Sequence, residues 1–522
     1  MTTKKIGMNE FAQKLALPLL LLMAGTVSLV LLVLSWGRPL TDLHSFRQSQ
    51  TAISVYWMLH GGEWLDYWTP VFGPPWSAPF EFPLYQWLTA WLVQATGLRI
   101  DDAGRLISFV WLFLGALPAR ALAKDFGFPN LSFPIFAVLV LASPIYAYWG
   151  RSFMIETQAV TLSLAFLLYA RRAMECGSGP ATLAALVAGS AAALTKVTTA
   201  FPFFLVAALL TLRIFATSGH RQRAWLLLRG AVVLLLPALL FLIWNHHADQ
   251  LKSANEIAAM TRSGAPGIMK WTFGTFDQRF GPEMLRAQAR AMLDLFGLGW
   301  PALLLLISVL FVRARPAAQD RNRTWILLLL YVFPWMVFTN LHIKHDYYQT
   351  AIGLFAIAAV ANALAVIAAR QGRMVAIVVC GALVASQVAR IATHHLLDPS
   401  ASAERDLKIA RILKAETGRD QLVMTYGLDW SPLIPYYAER KAAMEPSWTL
   451  PFEYRPRLPG SSLDRKSPAG AVVRCPSQVD RDPIARRTFD ALSKNSRVTR
   501  VGDCELYLQP HLSRQLVKAP VA

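Results

Sequence analysis

From Leu15 to Trp36 the chain carries no charged side chain. About 20 apolar residues in a helix span the hydrocarbon core of a bilayer. A helix on the surface of a soluble domain is apolar along one stripe only. Further apolar blocks follow at about 106–123, 131–149, 153–170, 181–196, 198–216, 225–245, 291–312, 324–341, 349–369 and 374–392. They predict a mainly α, polytopic transmembrane protein of about 11 spans. The fifth and sixth blocks are nearly continuous. Only 16% of residues are charged, against about 25% in soluble proteins. A soluble enzyme and a disordered chain are thereby excluded. So is a membrane barrel, whose strands would alternate. The first block is too long for a signal-peptide core and no small-residue cleavage site follows, so it reads as a retained anchor.

The net charge is +19. Its placement explains it without nucleic acid. Lys4, Lys5 and Lys14 precede the first block. Arg120, Lys124, Arg171, Arg172, Arg213, Arg221, Arg223, Arg229, Arg313, Arg315, Arg321, Arg323, Arg370 and Arg373 fall in alternate short loops. The positive-inside rule puts these loops and the N-terminus in the cytoplasm. An odd span count then puts everything after residue 392 outside. The expected organisation is a transmembrane domain over 1–392, with long outer loops at 37–105 and 246–290, and an extra-cytoplasmic domain over 393–522. Long loops are more often functional than not, so chemistry is expected at the outer face.

The tail reads as a small α/β domain. Glu404 to Glu416 places Leu407, Ala410 and Leu413 on one helical face. Gln421–Tyr426 and Ala471–Arg474 read as strands, and Pro446 to Pro468 as a loop. Arg497–Val501 and Cys504–Leu508 flank Gly502-Asp503, a hairpin signal. Cys176 lies in an inner loop and Cys380 in a span. Cys475 and Cys504 both lie in the outer tail, where an oxidising compartment favours a bridge. Two buried free thiols are the alternative.

Polar side chains cluster at the outer ends of the spans. The first loop opens with Asp42, His44 and Arg47 within six residues and later reaches Glu81. Arg151 and Glu156 lie between the third and fourth blocks. An ionised carboxylate within the membrane costs roughly 2.5–3.5 kcal/mol on insertion scales, so Glu156 needs a partner or a task, and Arg151 is one such partner. Lys196 closes the fifth block, as a snorkelling cation or a phosphate contact. His342, His345, Asp346, Tyr347 and Tyr348 follow the ninth, where they suit a phosphate, a sugar, a metal ion or a helix cap. In the second loop, Pro282 to Leu293 is amphipathic, as an interfacial helix or a flap over a lipid substrate.

At these residues the sequence resembles the GT-C type of polytopic membrane glycosyltransferase. It is most similar to the branch of protein O-mannosyltransferases and aminoarabinose transferases. The resemblance rests on Asp42 after the first span, Arg47 to Ala52, and Glu81 to Tyr85. It also rests on Gly150 to Glu156, Thr195-Lys196, and His345 to Tyr348. Many relatives carry Asp-Glu where this chain has Asp42-Leu43-His44, and many carry Asp where Glu156 stands. The resemblance implies transfer of a sugar from a polyprenyl-phosphate donor to a glycan, lipid or protein acceptor at the outer face. The setting would be lipopolysaccharide or other cell-envelope glycan synthesis in a bacterial inner membrane.

Asp42 would act as base, with Glu81 and Glu156 holding the acceptor or supporting a cation. Arg47, Arg151, Lys196 and His345 are the candidates for the phosphate, and His44, His342, Asp346, Tyr347 and Tyr348 complete the substrate contacts. A divalent metal ion stays open as a cofactor. The partners are the lipid-linked donor, the acceptor and membrane lipid, with no nucleic acid and no nucleotide-binding loop of the GxxxxGK[ST] kind. A transporter or flippase of lipid-linked sugars would place charges at mid-bilayer and often show repeats. A non-catalytic partner in polysaccharide assembly would tolerate loss of Asp42.

Overall fold

A computed structural model of the chain describes residues 8–298, 317–394, 397–447, 449–459 and 469–508. Lys4, Lys5, Arg313, Arg315, most of the eighth apolar block and residues 460–468 of the expected loop lie outside them. Two compact units emerge. The first contains residues 1–37, 102–246 and 263–396, and the second 38–101, 247–262 and 397–522.

The first unit is helical. Among the described residues, six helices are long and apolar enough to cross a membrane. They are Leu15–Ser35, Ile100–Asp125, Gly179–Thr217, Gln222–Ser253, Asp346–Gln371 and Arg373–Thr393. The chain is thus a multi-pass membrane protein, but the expected count of about 11 is not confirmed. The third block breaks at Ser143-Pro144 into Ser132–Ala142 and Pro144–Trp149, because Ser143, the residue before a proline, is extended (φ −65°, ψ 130°) and Pro144 opens the next helix. The fourth block starts its helix only at Glu156 and takes in Arg171, Arg172 and Glu175 before ending at Cys176. The fifth and sixth are one run, Gly179–Thr217, made of two helical pieces that meet at Lys196.

Lipid-facing positions are recognisable by their exposed aliphatic side chains, among them Leu22, Leu117 and Leu235. The helix Gln349–Gln371 is different. It is buried along most of its length, and its Ala351, Gly353, Ala356, Ala359, Ala361, Ala363 and Ala365 let neighbouring backbones approach. Gly189 serves the same purpose between Glu156–Cys176 and Gly179–Thr217: a Cβ there would lie 2.7 Å from the Phe166 ring.

The second unit is α/β. Its strands are β1 (Leu422–Tyr426), β2 (Ala442–Glu445), β3 (Ala469–Arg474), β4 (Arg497–Val501) and β5 (Cys504–Leu508). They form one sheet in the order β2-β1-β3-β5-β4. β1 pairs parallel with β2 and β3, while β5 is antiparallel to β3 and β4. β1 is buried throughout, as befits a central parallel strand. β4 is an edge and blunts it with Arg497 and Arg500. A disulfide joins Cys475 and Cys504 across the β3–β5 pair.

The loop that follows the first membrane helix belongs to this unit by backbone pairing. Ala442 and Met444 of β2 donate to the carbonyls of Pro70 and Val71, each at 2.9 Å, and Gly73 donates back to Ala442 at 2.9 Å. Asn255 fixes the loop, donating to the Gly73 carbonyl at 2.9 Å while its own carbonyl takes the Ile257 and Ala258 amides. At the loop's end, the Asp101 carboxylate accepts the hydroxyls of Tyr436 and Tyr437 at 2.5 and 2.8 Å.

Candidate active site

In the first unit the site is built around the break at Lys196. The local sequence favours it. Thr195 and Val197 to Thr199 are β-branched and resist helix, and Pro202 withholds an amide from the turn above. At Lys196 the backbone is extended (φ −165°, ψ 96°). The side chain is buried and pairs with Glu156, itself 1% exposed. The rings of Tyr348 and Tyr347 lie 4.1 and 4.8 Å from the Lys196 ammonium. A buried pair is stable only when its remaining polar atoms are also satisfied. Here they are not. Glu156 Oε2 and Thr195 Oγ1 are buried without a hydrogen-bond partner among the described residues. Such groups normally meet water or a ligand.

The surrounding residues converge on the same place. Tyr347 stacks on His345 at 5.1 Å and meets Trp149 edge-on at 5.7 Å. His345 contacts Trp271, in the short helix Pro266–Phe273, at 5.7 Å. His342 stacks on Trp335 at 5.0 Å, and its Nδ1 lies 3.2 Å from the Gln349 amide. Arg151 is fully buried, its guanidinium 4.2 Å over Tyr148. Asp346 opens the short turn Asp346–Tyr348 that presents both tyrosines. Glu156, Lys196, His342, His345, Tyr347 and Tyr348 are therefore one group, and Trp149 links it to the Arg151 segment.

In the second unit a separate group forms around Asp42. His44 has a left-handed backbone (φ 50°) at the N-cap of the helix Ser45–Met58, a costly conformation for a residue with a Cβ. Its carbonyl takes the amides of Arg47 and Gln48. The tight entry brings the Gln48 amide to Asp42 Oδ1 at 2.7 Å and to the Leu43 carbonyl at 2.9 Å. Asp42 is 7% exposed. Arg47 pairs with Glu81 and donates to Gln50 at 2.7 Å. Tyr67 donates to the Glu81 carbonyl at 3.0 Å. Burial, then the Glu81 charge, hold its phenol well above the ordinary range, so it stays a donor.

Gln349, Trp149 and Trp335 have no place in the sequence reading, and Gln48 enters it only within the run from Arg47 to Ala52. The two glutamines did leave a signal, since each is a polar residue on a face of its helix that is otherwise wholly buried. Among the described residues, no group of three or more His, Cys, Asp or Glu side chains is arranged to hold a metal ion.

No family model matches the chain, and no curated protein matches it. Solved structures do. ArnT from Cupriavidus metallidurans bound to undecaprenyl phosphate matches with a TM-score of 0.60 at 13% identity, over 96% of this chain and 99% of that one. The arabinofuranosyltransferase AftD from Mycobacteria matches with a TM-score of 0.53 at 15% identity, over 94% of this chain and 39% of that one. The oligosaccharyltransferase AglB from Archaeoglobus fulgidus, in complex with an inhibitory peptide and a dolichol-phosphate, gives 0.52 at 12% identity, over 89% and 70%. The fold of this chain is therefore the GT-C fold of polytopic membrane glycosyltransferases.

Proposed function

We propose that the protein is a glycosyltransferase that moves a sugar from a polyprenyl-phosphate donor to an acceptor at the outer face of a bacterial inner membrane. The observation that carries this reading is the break at Lys196. A buried ammonium, paired with Glu156, lies there against two tyrosine faces, beside a carboxylate oxygen and a hydroxyl without a hydrogen-bond partner among the described residues. A lipid phosphate gives the ammonium a second anionic partner beside Glu156, and sugar hydroxyls supply the hydrogen bonds that Glu156 Oε2 and Thr195 Oγ1 lack among the described residues. Two proteins of like fold were solved with undecaprenyl phosphate and dolichol-phosphate bound, which supports a donor of that class.

In the reaction the bond from sugar C1 to the phosphate oxygen breaks and its electron pair leaves with the lipid phosphate. A bond forms from C1 to the acceptor oxygen or nitrogen, and the acceptor's proton passes to Asp42. Lys196, with Arg151 and His345, stabilises the charge that grows on the phosphate. Gln48 holds Asp42 in place. Arg47, paired with Glu81, is oriented for substrate and not spent as a free phosphate clamp. The test is transfer by the purified full chain with a panel of polyprenyl-phosphate sugars and envelope-glycan acceptors. Transfer from at least one donor, lost on omitting the lipid phosphate, is expected. Transport of the intact donor across vesicles without transfer would replace the reading with the flippase.

A further inference from the structure

The second unit carries an aromatic group around Trp430. After β1 the chain turns sharply at Gly427 (φ +85°), where a Cβ would lie 2.2 Å from the Cys475 carbonyl. The turn presents Asp429 and Trp430 beyond the carboxyl end of the central parallel strand. β2 and β3 lie on opposite sides of β1, so the strand order reverses there. Open α/β sheets bind ligands outside the carboxyl ends of their strands at such a reversal.

The half-buried Trp430 indole is wedged by three rings. Phe46 meets it edge-on at 5.6 Å, and Phe72 and Phe80 lie tilted at 4.8 and 5.9 Å. Its indole N–H has no acceptor among the described residues. Asp429 Oδ1 takes the Trp430 amide at 2.8 Å, and Oδ2 has no partner among them. Desolvation raises the Asp429 carboxyl above its ordinary value. Phe46 and Phe80 are next in sequence to Arg47 and Glu81, which form the ion pair described above. Among the described residues a cation meets one outer ring of this group, the Lys252 ammonium lying 4.8 Å over Phe80, and the Trp430 indole carries none. Trp57, Trp68 and Trp76 also form an aromatic group, but the Lys441 ammonium occupies it at 5.1, 4.3 and 5.2 Å.

A fixed indole rimmed by a carboxylate and an N–H donor suits a sugar ring. The apolar C–H face stacks on the indole, and the equatorial hydroxyls reach the polar rim. We propose that Trp430 and Asp429 form a binding subsite for a sugar ring of a glycan acceptor. The proposal rests on the glycosyltransferase reading, and it adds that the acceptor is a saccharide.

The test uses the full-length protein in nanodiscs on an array of defined bacterial envelope oligosaccharides, with undecaprenyl phosphate binding measured in parallel. Wild type should retain at least one glycan. Trp430→Ala should weaken that binding by about tenfold, the order of one aromatic contact, while Trp430→Phe keeps most of it. Asp429→Asn should weaken it less. Undecaprenyl phosphate affinity should not change in any of the three. In transfer, Trp430→Ala should raise KM for the glycan and leave kcat near wild type. The subsite is overturned if wild type binds no glycan, or if Trp430→Ala binds as wild type does. It is also overturned if Trp430→Ala loses the glycan and undecaprenyl phosphate together while Asp429→Asn and Trp430→Phe lose neither, since that pattern is misfolding. Glycan binding that depends on Trp430 in a chain that never binds undecaprenyl phosphate would keep the subsite and remove the transferase reading.

Discussion

Replacing Lys196 by Met separates a structural role from a substrate role. The pair with Glu156 is buried on both sides, with side-chain exposures of 6% and 1%. Removing one partner strands the other as an uncompensated charge, at a cost of roughly 3–5 kcal/mol. Lys196→Met should therefore melt at a clearly lower temperature than wild type. Glu156→Gln should also destabilise the protein. The double variant carries no stranded charge, so it should recover most of the stability. Function should behave differently. If the ammonium binds the donor phosphate, its loss removes a charge-assisted hydrogen bond worth about 1.5–3 kcal/mol, or about 10- to 150-fold in affinity. Native mass spectrometry of the detergent-solubilised chain with undecaprenyl phosphate reads this directly. The double variant should regain most of the wild-type stability and still bind the lipid weakly. Recovery of both stability and lipid affinity would refute the reasoning. Lys196 would then serve only to neutralise Glu156.

Asp42→Asn should leave insertion and lipid binding intact and cut turnover by about 10²–10⁴-fold, the usual share of a general base. Near-full transfer by Asp42→Asn, with activity abolished in Glu81→Gln or Glu156→Gln, would move the base elsewhere. The Cys475–Cys504 bridge closes a loop across a sequence separation of 29, so chain entropy predicts roughly 3–4 kcal/mol of stabilisation. The double Cys→Ala variant of the full chain should expose the tail to protease at a lower temperature. Asp482 caps Pro483–Asn495, and its carboxyl is held down to about 2, chiefly by hydrogen bonds from Arg455. A depressed carboxyl stabilises the fold above its ordinary value of 3.8 and loses that contribution as pH falls through about 2. Melting points of wild type and Asp482→Asn should differ at pH 6 and converge by pH 2; a gap that persists at pH 2 rules out the charge as its source. For orientation, a C-terminal reporter active only in the cytoplasm should stay silent, and activity would put the tail inside.

What the sequence could reveal depended on whether the signal was carried by side chains. Apolar blocks are such a signal, so most membrane helices were placed within a few residues, as were Leu422–Tyr426 and the hairpin around Gly502. The span count failed where an apolar block is not one helix. Composition does not record that Ser143-Pro144 ends a helix inside the third block, or that Lys196 joins two pieces of a single run. β2 was invisible. Ala442–Glu445 has no β-branched residue, and it is a strand because β1 pairs with it on one side and Pro70 and Val71 on the other. Backbone pairing leaves no trace in side chains, so the union of the first long loop with the tail could not be read either. The site shows the same limit in another form. Insertion cost alone marked Glu156 as a residue in need of a partner. Arg151 was the nearer choice in sequence, but Lys196, 40 residues away, is the one that pairs with it. A charge in a membrane segment tells that a partner exists. Its identity is set by which helices pack together, and here the close approach at Gly189 between Glu156–Cys176 and Gly179–Thr217 helps to set it.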